Sequence, residues 1–389
     1  MKILLIPQTY PDEQNRKITP FIRENAQLLV SLGHDIGVLH VKLLPLKRWL
    51  KHNTSRISRI EEDGLTRYAR CMRYVHSMEK LNTWIFCKRV RKLFHLYCIK
   101  NGKPDIIISH FYQYAGYAAA KITKEQEIPL IHVEHAGWLL DGSIAPFEIE
   151  KLGCVLANAD KFVCVSEMLK KALEKAVGKS SKMVVIPNTI SDCFRYSEPV
   201  KKEKYVFFSA GNLYEGKRFP LLIEAFCVAF SVNDEVELRI AGVGHMDKQM
   251  IKLISDNRRE HQIKMLGGLD KHQMLDEYNY CDCFVLPSEH ETFGIVYREA
   301  MACGRPIITT DHQGFVGDWS DEYGIKIPID DRQALIQALK YMKTEGKRFD
   351  GQKISKDCVQ KYAHENVVGM YEGLLNTVCA AGVMRDDRQ

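Results

Sequence analysis

Short β-rich runs alternate with amphipathic helical stretches along this chain, and they do so in two series. The first series runs KILLIP, a helix over Pro20–Leu32, DIGVLHV, and later DIIISHF, PLIHVEH, KFVCVS and KMVVIPN. The second runs YVFFSAGN, a helix over 219–231, VELRIAG, a helix over 246–258, IKMLGG, a helix over 271–279, CFVLPS, a helix over 295–303, and PIITT. Strands that alternate with helices form parallel sheets covered on both faces. The expected fold class is α/β, two doubly wound Rossmann-like domains facing across a cleft, with ligands bound beyond the carboxyl ends of the strands. Between the series the polar stretch SEPVKKEK, Ser197–Lys204, reads as the linker, which sets the domains at 1–196 and 197–364. A last helix spans about Glu365 to Val378. The 389 residues suit two such domains; one large α/β domain with an insertion is the alternative.

A hydrophobic fraction of 46% with 27% charged residues is that of a folded soluble protein. No apolar run approaches the roughly 18 residues needed to span a bilayer. MKILLIP reads as a first buried strand and lacks the features of a signal peptide, so a reducing cytoplasm is the expected compartment. The twelve cysteines form no C-x-x-C pair, and Cys281 and Cys283 stand too close for zinc; they read as small buried hydrophobes. With no D-x-D and no His/Asp/Glu cluster at ligand spacing, no metal and no cofactor is expected.

The net charge of +6 is unevenly placed. Lys42–Lys103 holds 16 Lys/Arg against 4 Asp/Glu, a local +12, so the remainder sums to −6. Such a block suits an anionic membrane surface, a polyanion or an anionic substrate. Within it, LNTWIFCKRVRKLFHLYCIK mixes Trp84, Phe86, Phe94 and Tyr97 with Lys88, Arg89, Arg91 and Lys92. That spacing fits an interfacial helix on anionic lipid. It fits equally a helix that packs its apolar face on a sheet.

The stretch PSEHETFGIVYREAMACGRP, Pro287–Pro306, is the most informative. A strand, CFVLP, runs into a polar loop, and a helix starts near Gly294. The backbone N–H groups of Phe293, Gly294 and Ile295 then form an anion site at a helix N-terminus. Gly294 lets a phosphate approach without a Cβ in the way. Glu299, further along the helix, can accept from a vicinal diol such as ribose, and Glu291, before it, from a second ring. A bare pair of glutamates eight apart would be two solvated surface residues; the flanking PS, FG and EAMACGRP elements argue otherwise. SAGNLYEGKRFPLLIEAF adds Lys217 and Arg218 at a helix mouth, able to neutralise a diphosphate. AGVGHM places Gly242 and Gly244 at a strand-end turn, which alone is usually structural.

These residues resemble glycosyltransferase family 4, whose members share the two-domain GT-B architecture. The resemblance covers most of the chain, is strongest over Val206–Thr310 and thinnest over Lys42–Lys103. It implies a retaining transferase that uses a nucleotide-sugar. Glu299 would hold the donor ribose and Glu291 the donor sugar. The amides of Phe293, Gly294 and Ile295 would meet sugar and phosphate. Gly242 would lie near the nucleotide, and the segment of Met265 and Leu266 near the base. In HVEHAGW the resemblance makes His135 a contact to the donor sugar, although a histidine just past a strand end more often packs or caps. His110, which also follows a strand, is a weaker candidate and is placed on the acceptor side. The helix near the C-terminus, 365–389, would pack back on the N-terminal domain.

Two departures stand out. The family's arginine after the first glycine of G-R-L is here Asn212, following Gly211, and Arg218 replaces the glycine of K-G. Either Arg218 substitutes for that charge, or Lys217 acts alone, or the leaving group is less charged. In the first loop, PQTYPDEQNRKITPF, Thr19 and Pro20 occupy the glycine region, so Lys17 or Arg16 contributes there instead, and Thr19 and Lys17 are acceptor-side candidates.

The expected function is transfer of a hexose-type sugar from a nucleotide-sugar, UDP-sugar favoured, to a saccharide or lipid-linked glycan in bacterial-type cell-surface polysaccharide synthesis. The expected partners are that donor, that acceptor and an anionic membrane surface met through 42–103, with no nucleic acid. A GT-B-like sugar-nucleotide epimerase or phosphorylase, or a binding protein without turnover, is the alternative. A Rossmann dehydrogenase is disfavoured, because KILLIPQTYP has no G-x-G-x-x-G after its first strand.

Overall fold

The computed structural model describes residues 1–12, 19–45, 56–140, 144–315 and 317–386. The chain divides into two compact units, Met1–Pro187 with Val367–Gln389, and Asn188–Asn366.

The first unit is built on eight strands: β1 (Lys2–Pro7), β2 (Asp35–Pro45), β3 (Ser58–Glu62), β4 (Leu65–Tyr74), β5 (Ile106–His110), β6 (Leu130–Glu134), β7 (Lys161–Cys164) and β8 (Met183–Val185). Their order is β3-β4-β2-β1-β5-β6-β7-β8. All neighbours are parallel except the β3–β4 hairpin. The hairpin turns through Asp63 and Gly64 at φ 50° and 75°, the two left-handed residues that a type I′ turn demands. Ile3, Leu4, Ile6 and Ile106–Ile108 are buried because helices cover both faces of the central strands. Those helices are α1 (Pro20–Ser31), α2 (Glu79–Asn101), α3 (Tyr117–Gln126), α4 (Pro146–Asn158) and α5 (Glu167–Val177).

The aromatic and basic segment forms α2. It buries Phe86, Val90, Leu93, Phe94 and Tyr97, at the spacing of one helical face, against β2 and β4. Packing on the sheet thus accounts for three of its four aromatic residues. Trp84 stays 54% exposed, with the Lys88 ammonium 3.8 Å from its ring centroid.

The second unit carries β9 (Tyr205–Ala210), α6 (Phe219–Ala229), β10 (Val236–Ala241), α7 (Asp247–Asp256), β11 (Ile263–Gly267), α8 (Lys271–Tyr280), β12 (Cys283–Leu286), α9 (Ile295–Ala302), β13 (Ile307–Thr310), β14 (Gly324–Ile327), α10 (Arg332–Glu345) and α11 (Gly351–Tyr362). Its sheet is parallel throughout, in the order β11-β10-β9-β12-β13-β14. The order reverses between β9 and β12, the switch point where open α/β sheets hold ligands. Helix α12 (His364–Asp386) follows, and from Val367 the chain belongs to the first unit.

The stretch Ser197–Lys204, read above as the linker, is held by the second unit. Arg305 donates to Ser197 Oγ at 2.8 Å, and Lys202 pairs with Asp282 at 2.9 Å. The two compact units divide at Pro187/Asn188. Glu198, Lys201 and Glu203 are exposed, as a linker's charges would be, while Ser197 and Lys202 tie the run down.

Candidate functional site

Most of the residues singled out in the second unit lie at or just beyond the carboxyl ends of β9, β10 and β12. After β9 the chain passes through Gly211 and the exposed Asn212, makes a 3-10 turn over Glu215–Lys217, and enters α6. After β12, Ser288–Phe293 form a loop laid against that turn: Glu289 N–H donates to Gly216 O at 2.8 Å. This contact brings the Lys217 ammonium into an ion pair with Glu291. Each side chain is only 11% exposed.

Burial works against both charges, and each is restored by the other. The Glu291 carboxyl is pushed up by burial, but Lys217 and His312 more than offset this and hold it below the ordinary carboxylate value. The Lys217 ammonium is likewise disfavoured by burial, and Glu291 with Tyr214 raises its pKa above the ordinary one. A preformed cation beside a polar loop can receive a phosphate without taking up a proton at the moment of binding.

Gly294 caps α9 in the left-handed conformation, φ 71° and ψ 59°. A Cβ there would also lie 2.8 Å from the Tyr297 ring, so glycine is required twice over. The first closing bond of the helix runs from Tyr297 N–H to Gly294 O at 3.1 Å, and the Ile295 amide precedes it. The Phe293 side chain is core, edge-on to Tyr362 at 5.3 Å, so only its backbone faces any ligand. One turn on, Glu299 receives the Tyr278 hydroxyl at 2.9 Å.

Arg218 does not join the Lys217–Glu291 pair. Its backbone is left-handed at φ 56°, which turns the guanidinium onto Asp330 (2.6 and 3.0 Å) and Glu289 (2.8 Å). The glycines after β10 have a packing role. A Cβ on Gly242 would stand 1.9 Å from Gly211 O, and one on Gly244 2.1 Å from Leu213 O. Gly242 N–H donates to Gly267 O at 2.8 Å, so three strand-end loops are sewn together. Met265 and Leu266 lie half-buried on edge strand β11.

In the first unit, His110 and His135 end β5 and follow β6. Their rings stack, with His110 Nδ1 and His135 Nε2 3.1 Å apart. Burial pushes His110 down to about 3 and lowers His135 likewise, so both are neutral and one donates to the other. Thr19 caps α1 in a left-handed conformation, its hydroxyl 3.1 Å from that of Thr9. Lys17 and Arg16 lie outside the described residues.

Several residues of these two groups escaped the sequence reading. Buried Glu134 accepts from the N–H of Tyr112, His135 and Ala136, each at 2.9 Å, and also contacts His132, which contacts Ser109. It fixes the loop that carries His135. The alternation in IHVEH already put residues 132 and 134 on one face, which is the available signal. His312, pushed down to about 4 mainly by burial, and buried Arg298 support the Glu291 loop. A charge at a helix position gives no sequence sign that it is buried.

Residues 19–192 match the model described as Glycosyltransferase Family 4, and residues 192–356 the model described as Glycosyl transferases group 1. The chain belongs to the family 4 glycosyltransferases. Among curated relatives of this family member is the N-acetylgalactosamine-N,N'-diacetylbacillosaminyl-diphospho-undecaprenol 4-alpha-N-acetylgalactosaminyltransferase of Campylobacter jejuni. It is 29% identical over 180 residues, 41% of this chain and 46% of that protein. The putative colanic acid biosynthesis glycosyltransferase WcaL of Escherichia coli is 23% identical over 353 residues, 82% and 86% of the two chains. Over the first of these relatives the match spans about half of their length, 46% and 57% for two of them. Similar solved structures include a sucrose-phosphate synthase from Thermosynechococcus elongatus (TM-score 0.80, 18% identity, 98% and 99% covered). Another is Anabaena Alr3699/HepE in complex with UDP and glucose (TM-score 0.75, 16% identity, 97% and 100% covered). At these identities the likeness is one of fold, and that fold is GT-B.

Proposed function

We propose that this chain moves a hexose-type sugar from a nucleotide-sugar, UDP-sugar favoured, to a saccharide or lipid-linked glycan in cell-surface polysaccharide synthesis, with retention at the anomeric carbon. The observation that carries this reading is the nearly buried Lys217–Glu291 pair beside the left-handed Gly294 at the start of α9. A cation, a row of helix-start amides and two carboxylates within one loop system match the needs of a diphosphate that carries two hydroxyl-bearing rings. Two of the similar proteins support the finer points: one acts on a diphospho-undecaprenol acceptor, and one solved neighbour is in complex with UDP and glucose.

In this reading Glu299 binds the ribose, Glu291 the donor sugar, and the amides of Gly294 and Ile295 the phosphate. Lys217 meets the negative charge as the bond from anomeric carbon to β-phosphate oxygen breaks. The acceptor oxygen forms the new bond, and its proton passes to the departing phosphate. His135 is carried as a contact to the donor sugar. No metal enters the scheme, and among the described residues no group of three or more His, Cys, Asp or Glu comes together as a metal site.

The test is incubation with UDP-, GDP- and ADP-sugars with and without membrane extract and chelator, following nucleoside diphosphate release and sugar identity. Extract-dependent release from one donor class, unchanged by chelator, is expected. Sugar interconversion without release would replace transfer by epimerisation, and binding without either would leave a non-catalytic protein.

A further inference from the structure

Arg298 stands inside the motif helix, one residue before Glu299, and is 1% exposed. A charged group so deeply buried needs full compensation. Its two Nη atoms reach backbone carbonyls on separate loops: Nη1 donates to Phe293 O, and Nη2 to Gly314 O at 2.7 Å, while Nε makes no hydrogen bond among the described residues. Its guanidinium carbon lies 4.0 Å from the Phe315 ring centroid and 4.4 Å from that of Phe293. Asp318 stands 3.8 Å away and is itself held by the Tyr362 hydroxyl at 2.6 Å.

The two carbonyls flank Glu291. Phe293 O belongs to the same loop, two residues on. Gly314 presses on Glu291 from the other side, where a Cβ would stand 3.0 Å from Glu291 Cβ and 3.2 Å from its carbonyl oxygen. His312 Nδ1 accepts the Gly314 N–H at 3.0 Å and keeps that loop in place. The planar fork of an arginine spans two acceptors at fixed separation, which a lysine cannot.

We propose that Arg298 is a positioning residue of the sugar end of the donor site. It clamps the loop of Glu291 and the loop of Gly314 together, and so fixes where the Glu291 carboxylate stands. The proposal rests on the donor-site reading above. It predicts a larger effect on the sugar half of the donor than on the nucleoside diphosphate half, because the clamp holds the loop of Glu291 through two carbonyls, whereas Glu299 is held by Tyr278.

Titration calorimetry with a nucleoside diphosphate and with the corresponding nucleotide-sugar tests this on wild type, R298M and R298K. R298M should weaken the nucleotide-sugar Kd about tenfold or more and the nucleoside diphosphate Kd by clearly less. R298K, able to reach one carbonyl, should lie between. G314A, which crowds Glu291 from within the loop whose carbonyl Arg298 holds, should show the same selective loss and decides the matter if R298M does not fold. Equal weakening of both ligands, or a nucleotide-sugar Kd like that of wild type, overturns the proposal. A wild type that binds nucleotide-sugar no more tightly than E291Q does would instead overturn the donor-site reading.

Discussion

Lys217 and Glu291 show at the scale of single residues how a sequence motif becomes chemistry. Each is nearly enclosed, and each is charged because the other stands beside it. Removing one leaves an uncompensated buried charge, so K217M should destabilise by about 3 kcal/mol in urea unfolding, while the K217M/E291Q double variant loses less than the sum. Additive losses would mean that the pair is not coupled. The pH dependence follows from the directions of the shifts. Glu291 lies below its ordinary 4.5, so its contribution is present above that pH and is lost as pH falls through the lowered value. Lys217 lies above its ordinary 10.5, so its contribution is present below that pH and is lost as pH rises through the raised value. Coupling should therefore persist from about pH 4.5 to 10.5. The motif made Lys217, Glu291, Gly294 and Glu299 legible. It did not show that Arg218 turns to Asp330, because a left-handed residue at position 218 is a matter of backbone conformation that Arg does not advertise.

At the scale of elements, the sheet and helix order was readable because each buried parallel strand is a short unbroken apolar run. The helices expected over 219–231, 246–258 and 295–303 form Phe219–Ala229, Asp247–Asp256 and Ile295–Ala302. Strands β3 and β4 were missed. SRIEEDGLTRYARCMRY is charged and carries no clean alternation, and only its Asp63–Gly64 pair announced a hairpin. Glycines at strand ends were legible as turn signals, whereas their reason was not. Gly242 is glycine because the loop after β9 crosses it, and G242A should cost about 1–3 kcal/mol even without ligand. Chemical denaturation of the unliganded chain checks this; a loss seen only in donor binding would make Gly242 a ligand contact instead.

Across the whole molecule, buried neutral histidines set the acid limit. Burial pushes His40 and His110 to about 3 and His312 to about 4, against an ordinary 6.5. Below pH 6.5 the unfolded chain takes up protons that the folded chain refuses, so stability is full above that pH and falls toward pH 3–4. Each such histidine contributes a slope of about 1.4 kcal/mol per pH unit in that window. The melting temperature should drop between pH 7 and pH 5, and a flat profile would show that these rings reach water.

The expected membrane contact of the basic block is also tested at this scale. Among the described residues no helix is long and apolar enough to cross a membrane. The exposed Trp84–Lys88 pair on α2 suits a lipid surface. Co-sedimentation with liposomes should require anionic lipid and weaken with salt; binding indifferent to both would remove the membrane from the account.

The donor site is the centre of this account, and extract-dependent nucleoside diphosphate release tests it most directly. Wild type should release the diphosphate from one nucleotide-sugar class only when membrane extract supplies an acceptor. E299A and K217M, shown by circular dichroism to be folded, should each lose about a hundredfold or more of that rate. Release at the wild-type rate by either folded variant would contradict the assignment of this loop system as the donor site.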